Sequence, residues 1–170
     1  ECDWSSDVCS SDLKTTYGYV VSGTTLYRLD TDYNYTSLGT IAGSDQVNMT
    51  DNGRQMFIAA GTNGYIYNST YNRTAFNTTN TSTTVSGGDT TYVYPGQPVS
   101  GTGIPSGATV ASVTNATTFV LSAAATATNS GVTLTFSPFI TTLTSPFAGA
   151  VGCGFLDGWF VFNQPDSQNF

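Results

Sequence analysis

Past residue 16 the chain alternates short apolar segments with turn residues, at the two-residue period of pleated strands. Tyr17–Val21 and Thr25–Leu29 flank Ser22-Gly23-Thr24. Gln46–Thr50 and Gln55–Ala60 flank Asp51-Asn52-Gly53, where Asn-Gly favours a tight type I′ turn. Gly64–Tyr67 follows Gly61-Thr62-Asn63, and Val151–Phe155 and Trp159–Phe162 flank Asp157-Gly158. No stretch carries apolar residues at helical spacing over three turns, so the pattern predicts an all-β fold. Tyr17, Tyr19, Tyr27, Phe57, Tyr65, Tyr67, Phe155, Trp159, Phe160 and Phe162 crowd these strands, and their rings are expected to fill the space between sheets.

One unit recurs. Val20-Val21-Ser22-Gly23-Thr24 leads to Tyr27, and Ile58-Ala59-Ala60-Gly61-Thr62 leads to Tyr65, an offset of 38 residues (58 minus 20). Strand, Gly turn and aromatic strand at a period near 40 suit a four-stranded propeller blade. Aligning Val161 with Ile58 offers a third copy at a gap of 103 residues (161 minus 58). That gap shrinks to one blade if a segment is inserted, and composition marks one. Between Thr78 and Phe136 the only charged residue is Asp89, and Thr, Ser, Ala, Gly and Val dominate. Strands are predicted there at Thr91–Tyr94, Thr109–Thr114, Thr118–Leu121 and Val132–Phe136. The expected organisation is a leader at 1–13, propeller blade strands at 14–77, an inserted small β-sandwich-like module at 78–137, and a truncated continuation of the propeller at 138–170. Loop tips accept such insertions because their ends stay close together.

Composition narrows the function. Only 9% of the 170 residues are charged, and the formal net charge is -7. Glu1, Asp3, Asp7 and Asp12 lie in the first 13 residues; without them 7 acids face 4 bases, or -3. No basic stripe exists for DNA phosphates. No apolar run approaches the roughly 20 residues of a membrane span, and residues 1–13 lack the basic and apolar regions of a signal peptide.

Candidate chemistry is sparse. There is no His to serve as a general base. Asp30-Thr31-Asp32-Tyr33-Asn34 resembles the first half of a calcium loop, but Tyr35 stands where such a loop needs Gly and no Glu closes it. Asp157-Gly158 suits a strand turn. Gly101-Thr102-Gly103-Ile104-Pro105-Ser106-Gly107 has no Lys and contains a Pro, which argues against a nucleotide loop. Asn34, Asn48, Asn68, Asn72, Asn77, Asn80 and Asn115 begin Asn-x-Ser/Thr triplets, which a Thr-rich chain produces by composition. Cys2 and Cys9 lie in the leader, and Cys153 alone implies neither disulfide nor metal. No catalytic residue, cofactor or metal ligand is therefore assigned, and the chain is read as no enzyme.

Three resemblances add to this. The stretch Asp3 to Leu13, DWSSDVCSSDL, resembles a translated sequencing adapter, so the leader is expected to be non-native. The chain stops at Asn169-Phe170, where a further strand is expected to begin. The segments VVSGTTLYRLD, VNMTDNG and GYIY, between Val20 and Tyr67, together with FLDGWFVFN, Phe155 to Asn163, resemble the packaged DNA stabilisation protein of short-tailed bacteriophages, also called a head-completion or tail hub protein. The stretch from Pro95 to Phe136 resembles a small β-rich module recurrent in phage structural proteins. The resemblance implies a partial β-propeller in the virion tail or neck, made in the bacterial cytoplasm. Its implied role is to close the portal channel and retain packaged genome in symmetric copies. Implied partners are other tail and neck proteins, a portal-side adaptor and a tail needle, with no sequence-specific nucleic acid and no membrane. The alternative is a tail adhesin module whose aromatics stack on host surface glycan. A glycan depolymerase would need paired acids in a cleft.

Overall fold

The computed structural model describes residues 17–42, 46–143 and 147–164. The leader and the chain end lie outside the described residues. The chain divides into two compact units, Glu1–Ser69 with Ile140–Phe170, and Thr70–Phe139. Every regular element among the described residues is a strand, as the alternation predicts.

In the first unit, β1 (Gly18–Ser22), β2 (Thr25–Leu29) and β3 (Tyr35–Thr40) form an antiparallel meander, here sheet 1. Strands β4 (Val47–Asp51), β5 (Gln55–Ala60) and β6 (Asn63–Asn68) form most of sheet 2. The two hairpins of the sequence repeat are alike in register and turn. Val20 faces Tyr27 across β1–β2, and Ile58 faces Tyr65 across β5–β6. Each closes with a two-residue Gly-Thr loop whose glycine takes a left-handed φ, +57° at Gly23 and +59° at Gly61. A glycine at that first loop position matches the turn's twist to that of the strands.

The Asp51-Asn52-Gly53 loop is not the expected type I′ turn. Asp51 pairs with Met56, leaving a three-residue loop, Asn52-Gly53-Arg54, before β5 begins at Gln55, and in it only Gly53 has positive φ, at +79°. The Asn52 side chain explains the wider loop: its Oδ1 accepts from the amides of Arg54 at 3.0 Å and Gln55 at 2.7 Å. The φ signs of a type I′ turn occur instead at Asp157 (+48°) and Gly158 (+90°).

The second unit holds β7 (Tyr71–Thr78), β8 (Thr84–Ser86), β9 (Val99–Gly101), β10 (Val110–Asn115), β11 (Thr118–Leu121) and β12 (Asn129–Phe136). They make one six-stranded sheet in the order β10-β11-β8-β7-β12-β9, curled into a half-barrel, rather than the two faced sheets of a sandwich. Bulges drive the curl. Thr74 and Ala75 oppose Thr133 alone, with Ala75 at φ +71°, and Ser130 and Gly131 oppose Asn77, with Gly131 at +66°. The two edge strands meet at one end, through a Pro98–Thr109 bridge and the Val110 amide bonded to the Gln97 carbonyl at 2.9 Å. Closing an edge this way blunts its tendency to pair with other chains. Phe76, Phe119 and Phe136 fill the interior, with ring centroids 5.5–6.0 Å apart.

The predicted strand Thr91–Tyr94 is a turn, with Tyr92 at φ +67° and the Val93 amide bonded to the Thr90 carbonyl at 3.0 Å. Tyr71 and Arg73 account for it: the Tyr71 hydroxyl donates to the Tyr92 carbonyl, and Arg73 pairs with Asp89 at 2.7 Å and donates to the Thr91 carbonyl at 3.1 Å.

Back in the first unit, β13 (Phe139–Leu143) completes sheet 2 beside β6, in the order β13-β6-β5-β4, and β14 (Cys153–Leu156) pairs with β15 (Trp159–Phe162) as a hairpin. Alternation along β5 divides its side chains between two cores. Met56, Ile58 and Ala60, with Tyr65 and Tyr67 of β6, pack with Tyr19, Val21 and Leu26 of sheet 1. Phe57 and Ala59 pack with Ile66, Phe147, Phe160 and Phe162. Sheet 2 is thus covered on both faces, and all six residues of β5 are buried. The hairpin turns Phe160 and Phe162 toward sheet 2, so the alignment of Val161 with Ile58 is off by one: Val161 points away. A one-residue slip exchanges the faces of a strand, and the unbroken apolar run Trp159–Phe162 contains no polar residue to mark the outer face.

Two consequences follow from this packing. Gly64 lies under the Phe147 ring, where an added Cβ would stand 2.8 Å from the ring edge and 3.1 Å from Leu143. Gly64→Ala is therefore expected to cost about 1–3 kcal/mol by overpacking, read as a lower urea midpoint at unchanged slope. Tyr67 is buried beside Tyr19, ring centroids 5.5 Å apart, and burial, then the neighbouring Tyr19, raises its phenol pKa above the ordinary 10.0. A raised folded pKa leaves stability intact below pH 10 and removes it as pH climbs from there toward the folded value. Tyr67→Phe is expected to flatten that alkaline decline in a denaturation series from pH 8 to 12; an unchanged decline would place the titrating group elsewhere.

Candidate interaction surfaces

The stack of sheet 1, sheet 2 and hairpin ends in two apolar faces. Alternation on sheet 1 sends Tyr19, Val21 and Leu26 inward and leaves Val20, Ser22, Tyr27, Leu29 and Tyr35 on the outer side, around a shallow groove of about 330 Å³. Tyr27 and Tyr35 meet edge to face there, centroids 5.7 Å apart, and Tyr35 remains 74% exposed. At the other end, Leu156 pairs with Trp159 and Gly154 with Val161 on the outer side of the hairpin. Trp159 is 76% exposed and Leu156 65%, beside a groove of about 390 Å³. The expectation that the strand aromatics all fill the interior therefore holds for Tyr19, Phe57, Tyr65 and Tyr67, whereas Trp159 lies on the surface.

The polar candidates are absorbed by local structure. The Asp30 carboxylate accepts from the amides of Asp32 and Asn34, both at 2.9 Å, and from the Asn34 side chain at 3.1 Å. These bonds, the Asn34 side chain first, lower the Asp30 pKa below its ordinary 3.8. Among the described residues no group of three or more His, Cys, Asp or Glu is placed to hold a metal. Asp157 is the first residue of the β14–β15 turn. The glycines of 101–107 shape a loop in which the Ile104 amide bonds the Gly101 carbonyl at 3.1 Å and the Thr126 amide bonds the Gly103 carbonyl at 2.9 Å. Cys153 lies half-buried in the aromatic layer with Phe160 and Phe162.

The Asn-x-Ser/Thr asparagines serve the fold. Asn68 is 2% exposed and accepts from Gln55 Nε2 at 2.9 Å. Asn48 donates to the Val151 carbonyl at 3.2 Å, Asn77 accepts from the Gly131 amide at 3.0 Å, and Asn115 accepts from the Thr117 amide at 2.9 Å.

No helix among the described residues is long and apolar enough to cross a membrane. Comparison with known protein families, with curated proteins and with solved structures finds no match.

Proposed function

We propose that the chain is a non-enzymatic structural protein of a bacteriophage virion, belonging to the head–tail joint, where it helps close the portal channel and retain packaged DNA. In this proposal sheets 1 and 2 and the β14–β15 hairpin are successive layers of a partial β-propeller, and the unit Thr70–Phe139 is a guest between two strands of one blade. The observation that carries it is the repeated hairpin: the same 38-residue offset relates sequence, register and turn, and the repeated elements pack face to face.

The physical case concerns rigidity. A plug against packaged DNA resists pressure with a stiff scaffold and has no need of phosphate contacts, which suits a chain without a basic stripe. Each buried ring adds roughly 1.5–3 kcal/mol of hydrophobic stabilisation, and the rings lie between layers, where they resist sliding. Neighbouring tail and neck proteins, a portal-side adaptor and a tail needle are the proposed partners, met through the apolar end faces.

The test is a virion preparation lacking this gene product. Heads that lose their DNA support the role; heads that stay full without it overturn the role. A second proposal rests on Tyr33 and Tyr35, 84% and 74% exposed at the tip of sheet 1: host glycan could stack there. Saturable binding of the whole chain on a glycan array, abolished by Tyr33→Ala with Tyr35→Ala, would favour the adhesin.

A further inference from the structure

The β4–β5 turn places specific groups around the side-chain amide of Asn52. Asp51 Oδ1 accepts from the Gly53 amide at 2.8 Å. A carboxylate thus rests on the proton of the backbone nitrogen that can close a five-membered ring with Asn52 Cγ. Asn52 Oδ1 accepts from the amides of Arg54 at 3.0 Å and Gln55 at 2.7 Å, and Asn52 Nδ2 donates to Gln55 Oε1 at 3.4 Å. Gln55 is itself held, since its Nε2 donates to buried Asn68 at 2.9 Å. The Asn52 amide is therefore fixed with its oxygen toward two N–H groups and its nitrogen toward Gln55. These are the parts of an acyl-transfer site: a nucleophile with a base on its proton, and two backbone donors on the oxygen where negative charge develops. Gly53 brings no Cβ to hinder the approach and takes a left-handed φ of +79°. Asn52 and Gly53 are half-buried, so water reaches the turn.

We propose that Asn52-Gly53 is a self-modification site, at which the folded turn converts Asn52 to an aspartyl residue. The Gly53 nitrogen attacks Asn52 Cγ as its proton passes to Asp51, and the amides of Arg54 and Gln55 hold the resulting oxyanion. The Cγ–Nδ2 bond then breaks, Nδ2 takes the proton from Asp51 and leaves as ammonia, and a cyclic imide remains. Water opens the imide at either carbonyl, giving aspartate, or isoaspartate whose backbone runs through the side chain. Water is the one co-reactant. The chain's other Asn-Gly pair, Asn63-Gly64, is the contrast. Gly64 pairs with Ala59 in sheet 2 and lies against the Phe147 ring, so imide closure there would pull β6 apart. Asn63 Nδ2 also donates to the Ala42 carbonyl at 3.3 Å. The two products at position 52 differ in consequence. An aspartate still accepts from the two amides, now as charge-assisted bonds. Isoaspartate lengthens the turn by one backbone carbon and loosens the entry to β5, all six of whose residues are buried.

The experiment incubates the full chain at neutral pH and follows Asn52 and Asn63 by peptide mapping, with tandem fragmentation to separate position 52 from 51 and aspartate from isoaspartate. Asn52 is expected to convert while Asn63 stays intact. General acid–base assistance is worth roughly 10²–10⁴-fold, so Asn52 is expected to convert at least about tenfold faster in the folded chain than in concentrated guanidinium chloride. Asp51→Asn keeps the oxygen that accepts from Gly53 and removes the basic charge. It is expected to slow conversion at Asn52 at least about tenfold, with the near-UV circular dichroism of the wild type. Conversion as fast in denaturant as in the folded chain overturns the inference. So do equal rates at Asn52 and Asn63 in the folded chain, or an undiminished rate in a folded Asp51→Asn variant. The comparison of folded with denatured wild type needs no substitution, so it decides the question even if Asp51→Asn fails to fold.

Discussion

Phe57→Ala is expected to remove about 3–5 kcal/mol from the layered unit, a large part of the roughly 5–15 kcal/mol that holds a domain together. Phe57 is 1% exposed on the central strand β5, and its ring meets those of Phe147, Phe160 and Phe162 at 5.9, 6.0 and 5.3 Å. Truncation removes the ring against which the β14–β15 hairpin rests. A two-stranded hairpin is marginal by itself, so the loss is expected to free it as well as to leave a cavity. Amide exchange reports on this: β14 and β15 should lose protection at lower denaturant than the global transition. Phe57→Leu keeps most of the volume and is expected to cost under about 1.5 kcal/mol. Equal losses for Ala and Leu would mean that the ring does not bridge the layers.

Phe119→Ala is the matching test of the curled sheet, with an expected loss of about 3–5 kcal/mol. Phe119 is fully buried between Phe76 and Phe136, at 5.5 and 5.8 Å. The cavity has little means to collapse. Gly88 lies so close to Phe76 that an added Cβ would be 2.6 Å from its ring, which fixes that ring from behind. The upper half of the range is therefore expected. Amide exchange gives the second readout: β7, β8, β11 and β12 should lose protection together, whereas uniform protection in the variant would contradict a single aromatic core.

These two cores also show what was legible in the chain. The strands Thr25–Leu29, Gln55–Ala60, Thr118–Leu121 and Trp159–Phe162 have the bounds read from alternation and turn residues. Strands β3 and β9 were illegible for a physical reason. Tyr35–Thr40 is exposed at four of its six residues and Val99–Gly101 has three residues, so neither carries a hydrophobic period. Composition placed a boundary at Thr78, where charge runs out. The compact unit begins at Thr70, because β7, which carries Arg73, is paired along its length with β12. Such long-range strand pairing leaves no local trace. The curl of the second unit was likewise hidden in bulges, since nothing about Thr74-Ala75 announces an extra residue.

Of the surfaces, the repeat matched Val20 and Tyr27 with Ile58 and Tyr65, but it could not say that Val20 and Tyr27 lie on the outer side of sheet 1. Trp159 was read as interior because it falls inside a strand and not at a loop tip, and the register of β14 with β15 turns it outward. The hydrogen bonds of the polar residues, Asp30 with Asn34 chief among them, are likewise invisible in the spacing.

The central claim is that sheet 2 is covered on both sides by repeat-like layers, and ring-to-ring nuclear Overhauser contacts test it most directly. The account expects a Tyr19–Tyr67 contact across one face, where the centroids are 5.5 Å apart, and a Phe57–Phe162 contact across the other, at 5.3 Å. Both contacts together support the stack; silence on either side of sheet 2 in the folded protein would contradict it.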